Sequence, residues 1–214
     1  MRNSSSPAYD PFMTTKLIPV FFAIIGLIFS VTGTTASAAQ AGVAAQPIEQ
    51  LQSSLIAAMK AGSKLDYQAR YQKLNPVVAR AFDFPFIAKL VLGPDWAKLS
   101  ADQQRNFVVS LDKLSTSSYA KEFDSYAGQS FVFIGERDVP GGKLERYVFK
   151  TGDRSIHFDY QMRQSGGGWK IANVIVDGVS DLALKRGQYR KLFGARGYKG
   201  LIAWIDKQVA ANAG

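Results

Sequence analysis

Between Ser155 and Asp181 the chain reads SIHFDYQMRQSGGGWKIANVIVDGVSD, and its first half alternates without a slip. Ile156, Phe158, Tyr160 and Met162 take one phase, while His157, Asp159, Gln161 and Arg163 take the other. Successive side chains of a strand point to opposite faces, so one face here is apolar and the other wet. That is the pattern of an antiparallel sheet covered on one side only. Ser165-Gly166-Gly167-Gly168 then turns the chain into a second strand, Trp169 to Val176, whose end is apolar in both phases. Its inward face stays open, and a bulge near Asn173 is one way to reconcile the two phases.

Two further strands precede this pair. Ser130 to Val139 is strand-like, Pro140-Gly141-Gly142 turns, Lys143 to Thr151 returns, and Gly152-Asp153 turns again. Four consecutive strands with short connections make a meander. Helices flank it on both sides. Pro47 opens the first, with Ile48, Leu51, Leu55, Ile56 and Met59 at helical spacing and Gly62 as the stop. A second pattern through Leu65, Tyr71 and Leu74 is expected to end or kink just before Pro76. Phe82, Phe84 and Phe86 crowd around Pro85, which reads as two short helices meeting at a corner, ended at Gly93.

Ser100 with Gln103 forms a capping box for the longest helix, Ala101 to about Tyr126. Phe107, Leu111, Leu114, Ser118 and Phe123 lie along one side, and the weak helix formers at 115–118 predict a bend. After Asp177-Gly178 the helical pattern returns with Leu182, Leu184, Tyr189, Leu192 and Phe193. Gly194 and Gly197 break it, and a last helix carries Leu201, Ile202, Ile205 and Val209. The order helices, sheet, helices gives an α+β fold: a four-stranded antiparallel meander covered on one face by N- and C-terminal helices.

The chain has 214 residues, a net charge of +9, one histidine and no cysteine. Arg2 and Lys16 precede an apolar run from Leu17 to Val31, followed by small residues ending Ala36-Ser37-Ala38. This reads as a signal segment over 1–38, cleaved after Ala38, with a retained anchor as the alternative. The run is shorter than the ~20 apolar residues of a spanning helix. Residues 39–46 read as a flexible lead and 47–212 as one domain. Without disulfides an exported chain must rely on its core, and a periplasmic location is the expectation. The positive balance suits lipid headgroups, acidic protein faces or a simply solvated surface. Export argues against nucleic acid, and no dense basic run is present.

No familiar catalytic arrangement is present: there is no G-x-S-x-G and no P-loop, and the glycine run at 166–168 joins two strands. His157 and Asp159 share the polar face of a strand, where an acid–base pair is conceivable but an ordinary solvated face is the plainer reading. One His and no Cys offer no transition-metal set, and no metal or cofactor is expected. Asp95 and Asp181 read as helix-start residues. Phe82, Phe86, Phe107, Leu111, Phe158, Tyr160 and Met162 form the apolar load, and periodicity alone does not distinguish a solid core from a hollow one.

Two stretches carry a resemblance. FDFPFIAKLVLGPDWAKLS, Phe82 to Ser100, resembles the phenylalanine-rich helix, stop and tryptophan of the MlaC, or toluene-tolerance, family of periplasmic lipid-binding proteins. WKIANVIVDGVSDLALKRGQY, Trp169 to Tyr189, is similar to that family's end of sheet and following helix, and Asp177 to Leu184 looks closest to its hopanoid-associated HpnM branch. The similarity spans about Ile48 to Gln208, with Asn173 where the family commonly has Asp. The resemblance implies a non-enzymatic, monomeric carrier of phospholipid or hopanoid, moving it between inner- and outer-membrane transport complexes.

With strand alternation, the resemblance also implies an apolar pocket between sheet and helices. Its expected lining is Phe82, Phe86, Leu90, Phe107, Leu111, Leu114, Phe133, Val148, Ile156, Phe158, Tyr160, Met162, Ile171, Leu184 and Tyr189. Lys89, Arg163, Lys185, Arg186 and Arg190 are candidates to meet headgroups or acidic partners, or are plain surface. Two other readings stand beside it. A small pocket enzyme on an NTF2-like helix-plus-sheet scaffold needs an ionisable group pointing inward from the sheet; an envelope adaptor needs a solid core.

Overall fold

The computed structural model describes residues 42–214; the expected signal segment over 1–38, with its expected cleavage site, lies outside the described residues. Four helices come first: α1 (Gln46–Ala61), α2 (Tyr67–Ala81), α3 (Phe84–Leu92) and α4 (Ala101–Glu122). Strands β1 (Ser130–Val139), β2 (Gly142–Thr151), β3 (Arg154–Ser165), β4 (Gly168–Val176) and β5 (Val179–Ser180) follow, and α5 (Asp181–Ala213) closes the chain.

The sheet is wholly antiparallel in the order β1-β2-β3-β4-β5, so it has five strands and not the expected four. The extra strand comes from Asp177 (φ 47°) and Gly178 (φ 83°), which turn the chain back. Val176 then pairs with Val179, and Ile175 with Ser180, before α5 begins. A two-residue strand has no periodicity to read. Pro140 and Gly141 (φ 80°) close the β1–β2 hairpin. A Cβ on the next residue, Gly142, would stand 1.8 Å from the Met162 carbonyl oxygen, so this position requires glycine.

Two bulges set the faces. Gln161 pairs with Asn173 but Met162 pairs with Ile171, leaving Ala172 as the extra residue. The phase of β4 therefore flips: Ile171 and Val174 both join the core, which settles the strand's inward face. In β1 the register shifts between Phe133 and Gly135, and Glu136 comes to stand opposite Glu145 of β2.

The helices cover the face carrying Phe158, Tyr160 and Met162. Phe107 of α4 meets Tyr189 of α5 edge-on at 6.2 Å, and both are buried. Several local signals act as read. Ser100 and Gln103 form the reciprocal capping box, Gly62 and Gly93 stop their helices at positive φ, and Asp83 caps α3 through the Phe86 N–H.

Other expectations change. Helix α2 runs through Pro76 to Ala81, because Leu74 and Val78 on either side are buried. Helix α4 carries no break at 115–118. Ser117 donates back to the Leu114 carbonyl at 2.8 Å and accepts from Asn212 of α5, while Thr116 donates to Asp112 and accepts from Asn75 of α2. Its hydroxyls thus serve packing contacts, and the helix ends at Glu122. Gly194 stays helical; only Gly197 (φ 63°, ψ −172°) breaks α5. Within the expected lead, Val43–Ala45 form a 3-10 turn that buries Ala44 and Ala45.

Candidate functional site

Helix α1 has two apolar or semi-apolar stripes. Ile48, Leu51, Leu55, Ala58 and Met59 face the core. The stripe Glu49, Gln52, Ser53, Ile56, Ala57 and Lys60, spaced three and four apart, faces a cleft instead. The opposite wall is Ser130, Phe131 and Phe133 of β1 with Tyr147 of β2, and Tyr126 and Gln129 close the α4–β1 connection. The cleft has a volume of about 700 Å³ and is open to solvent, within the range of small-molecule sites. Its length along α1, Glu49 to Lys60, is about 16 Å at 1.5 Å per residue.

The floor is aromatic. Phe131 and Phe149 have ring centroids 4.6 Å apart, and Phe133 meets Tyr147 edge-on at 5.3 Å. Strand pairing dictates this, because Phe131 stands opposite Phe149 and Phe133 opposite Tyr147. At the Lys60 end the ammonium lies 5.1 Å from the Tyr126 ring centroid, a cation–π contact.

The other end is polar and buried. Glu145 of β2 is 0% exposed, and its carboxyl lies against that of Glu136, which stands opposite it on β1. Tyr147 (2% exposed) and Gln52 (6%) leave the phenol oxygen and Nε2 unpartnered. Burial, with Glu136 across the strand pair and Glu49 on α1, pushes the Glu145 carboxyl up to about 7 despite Lys143. Burial also pushes the phenols of Tyr147 and Tyr160 up. The Lys143 ammonium is taken by Glu136 at 2.9 Å and Asp138 at 3.3 Å.

Of the expected lining, Phe133 lines this cleft. Phe82, Phe107, Leu111, Leu114, Phe158, Tyr160, Met162, Ile171 and Tyr189 are buried members of the core cluster, and Ile156 packs against it. Phe86, Leu90 and Leu184 are half-buried. Val148 is on the other face: it pairs with His157 and with exposed Val132, since the inward phase of β2 is Glu145, Tyr147 and Phe149. Glu49, Gln52, Lys60 and Tyr147 also line the cleft and were not in the expected set; Glu145 lies two residues from Tyr147, buried and outside the lining. One signal was available, because in KLERYVF the carboxylate of Glu145 shares the phase of Tyr147 and Phe149.

The charged candidates separate too. Arg163 is half-buried, ion-paired with buried Asp83 and lying 4.2 Å from the Phe86 ring centroid. Lys185 pairs with Asp181. Lys89, Arg186 and Arg190 are exposed. His157 is exposed and nearest Asp177, whereas Asp159 pairs with Arg146, so the two form no dyad. Asn173 is buried, and its carbonyl oxygen accepts from the Leu182 N–H and the Ser180 hydroxyl at 3.1 Å each. A carboxylate would serve there equally, but only an amide also donates to Gln161, at 2.9 Å. Among the described residues no three His, Cys, Asp or Glu side chains gather as a metal site.

Comparison with known proteins gives two results. A family model described as MlaC protein matches residues 49–207. A solved structure of a phospholipid-binding protein from Ralstonia solanacearum, in complex with a phospholipid, superposes with a TM-score of 0.71. It is 18% identical, and the match covers 81% of this chain and 100% of that one. At that identity the likeness is one of fold.

Proposed function

The chain belongs to the MlaC family, and from that premise we propose that it is a lipid-binding carrier whose ligand's hydrocarbon lies in the α1 cleft. The observation that carries this is the aromatic floor of an open cleft of about 700 Å³ between a helix and the outer strands of the sheet. The phospholipid in the Ralstonia solanacearum protein supports the same reading. Hydrocarbon leaving a bilayer gives up about 0.8 kcal/mol per methylene. A carrier must return most of that from its own apolar wall, and an open cleft returns it reversibly.

The finer reading is export to the periplasm after cleavage near Ala38 and exchange of phospholipid or hopanoid with inner- and outer-membrane complexes, as a monomer and without a catalytic step. Lipid extracted from the purified protein and identified by mass spectrometry tests the carrier. Lipid at a stoichiometric fraction is expected, as is re-uptake of a fluorescent fatty-acyl probe after delipidation. No extractable lipid together with no probe binding overturns it. One observation favours a second reading: Glu145 is an ionisable group pointing inward from the sheet, as a pocket enzyme would need. Turnover of an added lipid ester, abolished in Glu145→Gln, would select that reading.

A further inference from the structure

The two edges of the sheet are finished differently. On one, β5 pairs with the end of β4, and Phe82 bridges to Ile171 while the Asp83 N–H donates to the Ile171 carbonyl at 2.9 Å. On the other, β1 pairs with β2 alone, and among the described residues no backbone hydrogen bond reaches its free side. Natural sheets protect a bare edge with charges or a bulge. The far half of β1 has both: a register shift between Phe133 and Gly135, then Glu136, Arg137 and Asp138. The near half, Ser130-Phe131-Val132-Phe133-Ile134, has no charge and no proline. Phe131 and Phe133 line the cleft, while Val132 and Ile134, in the other phase, are exposed.

Charge on that outer face has one sign. Val132 stands opposite Val148, and the outward phase of β1 and β2 carries Arg137, Arg146 and Lys150 but no carboxylate. Arg146 is held by Asp159 of β3 at 3.3 Å. Arg137 and Lys150 are exposed and form no ion pair among the described residues.

We propose that Ser130–Ile134 is a docking edge for an extended acidic segment of another protein, which joins the sheet as a further strand beside β1. Backbone and charge choose that occupant. A bilayer cannot answer the free N–H and C=O groups of the edge, each of which costs several kcal/mol in hydrocarbon. An added strand answers them in register. A second copy would bring the same basic outward phase beside this one, whereas an acidic segment complements it. Aliphatic residues of that segment fall beside Val132 and Ile134, and a carboxylate falls beside Ser130, which stands opposite Lys150. That carboxylate's backbone lies roughly 10 Å from the Lys150 backbone, two strand spacings, a gap that a glutamate and a lysine side chain span together. The other phase of the segment lies beside Phe131 and Phe133, so the docked partner extends the β1 wall of the cleft. Docking at the edge does not depend on what the cleft holds.

The test uses a capped, fluorescein-labelled peptide, Glu-Thr-Val-Thr-Val-Thr-Glu, which reads the same in either direction, with fluorescence anisotropy on the purified protein at low salt. It is expected to bind at least ~5-fold more tightly than Lys-Thr-Val-Thr-Val-Thr-Lys, the scale of one or two exposed ion pairs. Alternate amides of a strand point to the same edge. N-methylation of both valines or of all three threonines should therefore abolish binding in one case and spare it in the other. Lys150→Glu, at an exposed position, reverses the charge at one end of the site and should bring the two peptides to within about 2-fold of each other. No binding, equal binding of the acidic and basic peptides, or the same response to both methylation patterns overturns the docking edge. So does pelleting with phosphatidylglycerol vesicles, or a dimer in sedimentation, if Val132→Glu removes it, since a membrane or a second copy then holds the edge. Acyl-probe binding by the same samples reads the carrier function separately and is expected to be unchanged in Lys150→Glu.

Discussion

Asp83 holds the corner between α2 and α3 to the sheet with one short side chain. Its carboxylate caps α3 at the Phe86 N–H and pairs with Arg163 of β3, while its backbone N–H donates to the Ile171 carbonyl of β4 at 2.9 Å. Burial alone would raise this carboxyl, but hydrogen bonds from Ser165, Phe86 and Arg163, with the guanidinium charge, hold it below its ordinary value. A depressed folded pKa adds stability above the unfolded value and loses it as pH falls through the folded one. Asp83→Asn should therefore cost about 3 kcal/mol at neutral pH, the scale of breaking a buried ion pair. Denaturant titration reads this, and an unchanged midpoint would refute it. Glu145 works the other way. Its carboxyl rises from 4.5 to about 7, so the folded state holds a proton that the unfolded chain has released. Stability therefore falls as pH climbs from 4.5 toward 7. Glu145→Gln should flatten that slope. Wild-type and variant melting curves across the window decide it, and parallel pH profiles would contradict it.

At the scale of elements, the legible parts were those whose cause is local. Pro47, Gly62, Gly93 and the Ser100–Gln103 box act within a few residues of themselves, and β3 announces its two faces by alternation. What failed was decided by partners. Pro76 looked like a breaker, yet Asn75 reaches Asp112 and Thr116 of α4 and Val78 is buried, so packing carries α2 past a missing N–H. The hydroxyls at 116 and 117 looked like a bend and are contacts to α2 and α5. The bulge at Ala172 and the turn at Asp177 flip or reverse the chain with single residues, too short to leave a period. If packing rather than sequence holds α2 straight, Pro76→Ala should help. It restores a backbone donor inside a helix, against the stiffness that proline lends the unfolded chain. A gain of about 1–2 kcal/mol is expected from denaturant unfolding, and a loss would mean that Pro76 is packed for its ring.

Across the whole molecule, the candidate site separates from the core in a way no single element reveals. Phe107, Tyr160 and Tyr189 are buried in the core cluster, as are most residues expected to line a pocket. The cleft described above lies between α1 and β1. Its walls were unreadable because α1 carries a core stripe and a cleft stripe, and only its tilt over the sheet decides which residues face which. Function at the cleft and stability in the core should then separate by mutation. Ala57 lines the cleft and is exposed, so a tryptophan there occupies ligand space without entering the core. Ala57→Trp should weaken acyl-probe binding at least ~10-fold, the worth of about two methylenes of lost contact, with the melting temperature nearly unchanged. Val109→Trp, at an exposed position of α4 outside the cleft lining, should change neither. If Ala57→Trp binds the probe like wild type, hydrocarbon is held elsewhere than in this cleft.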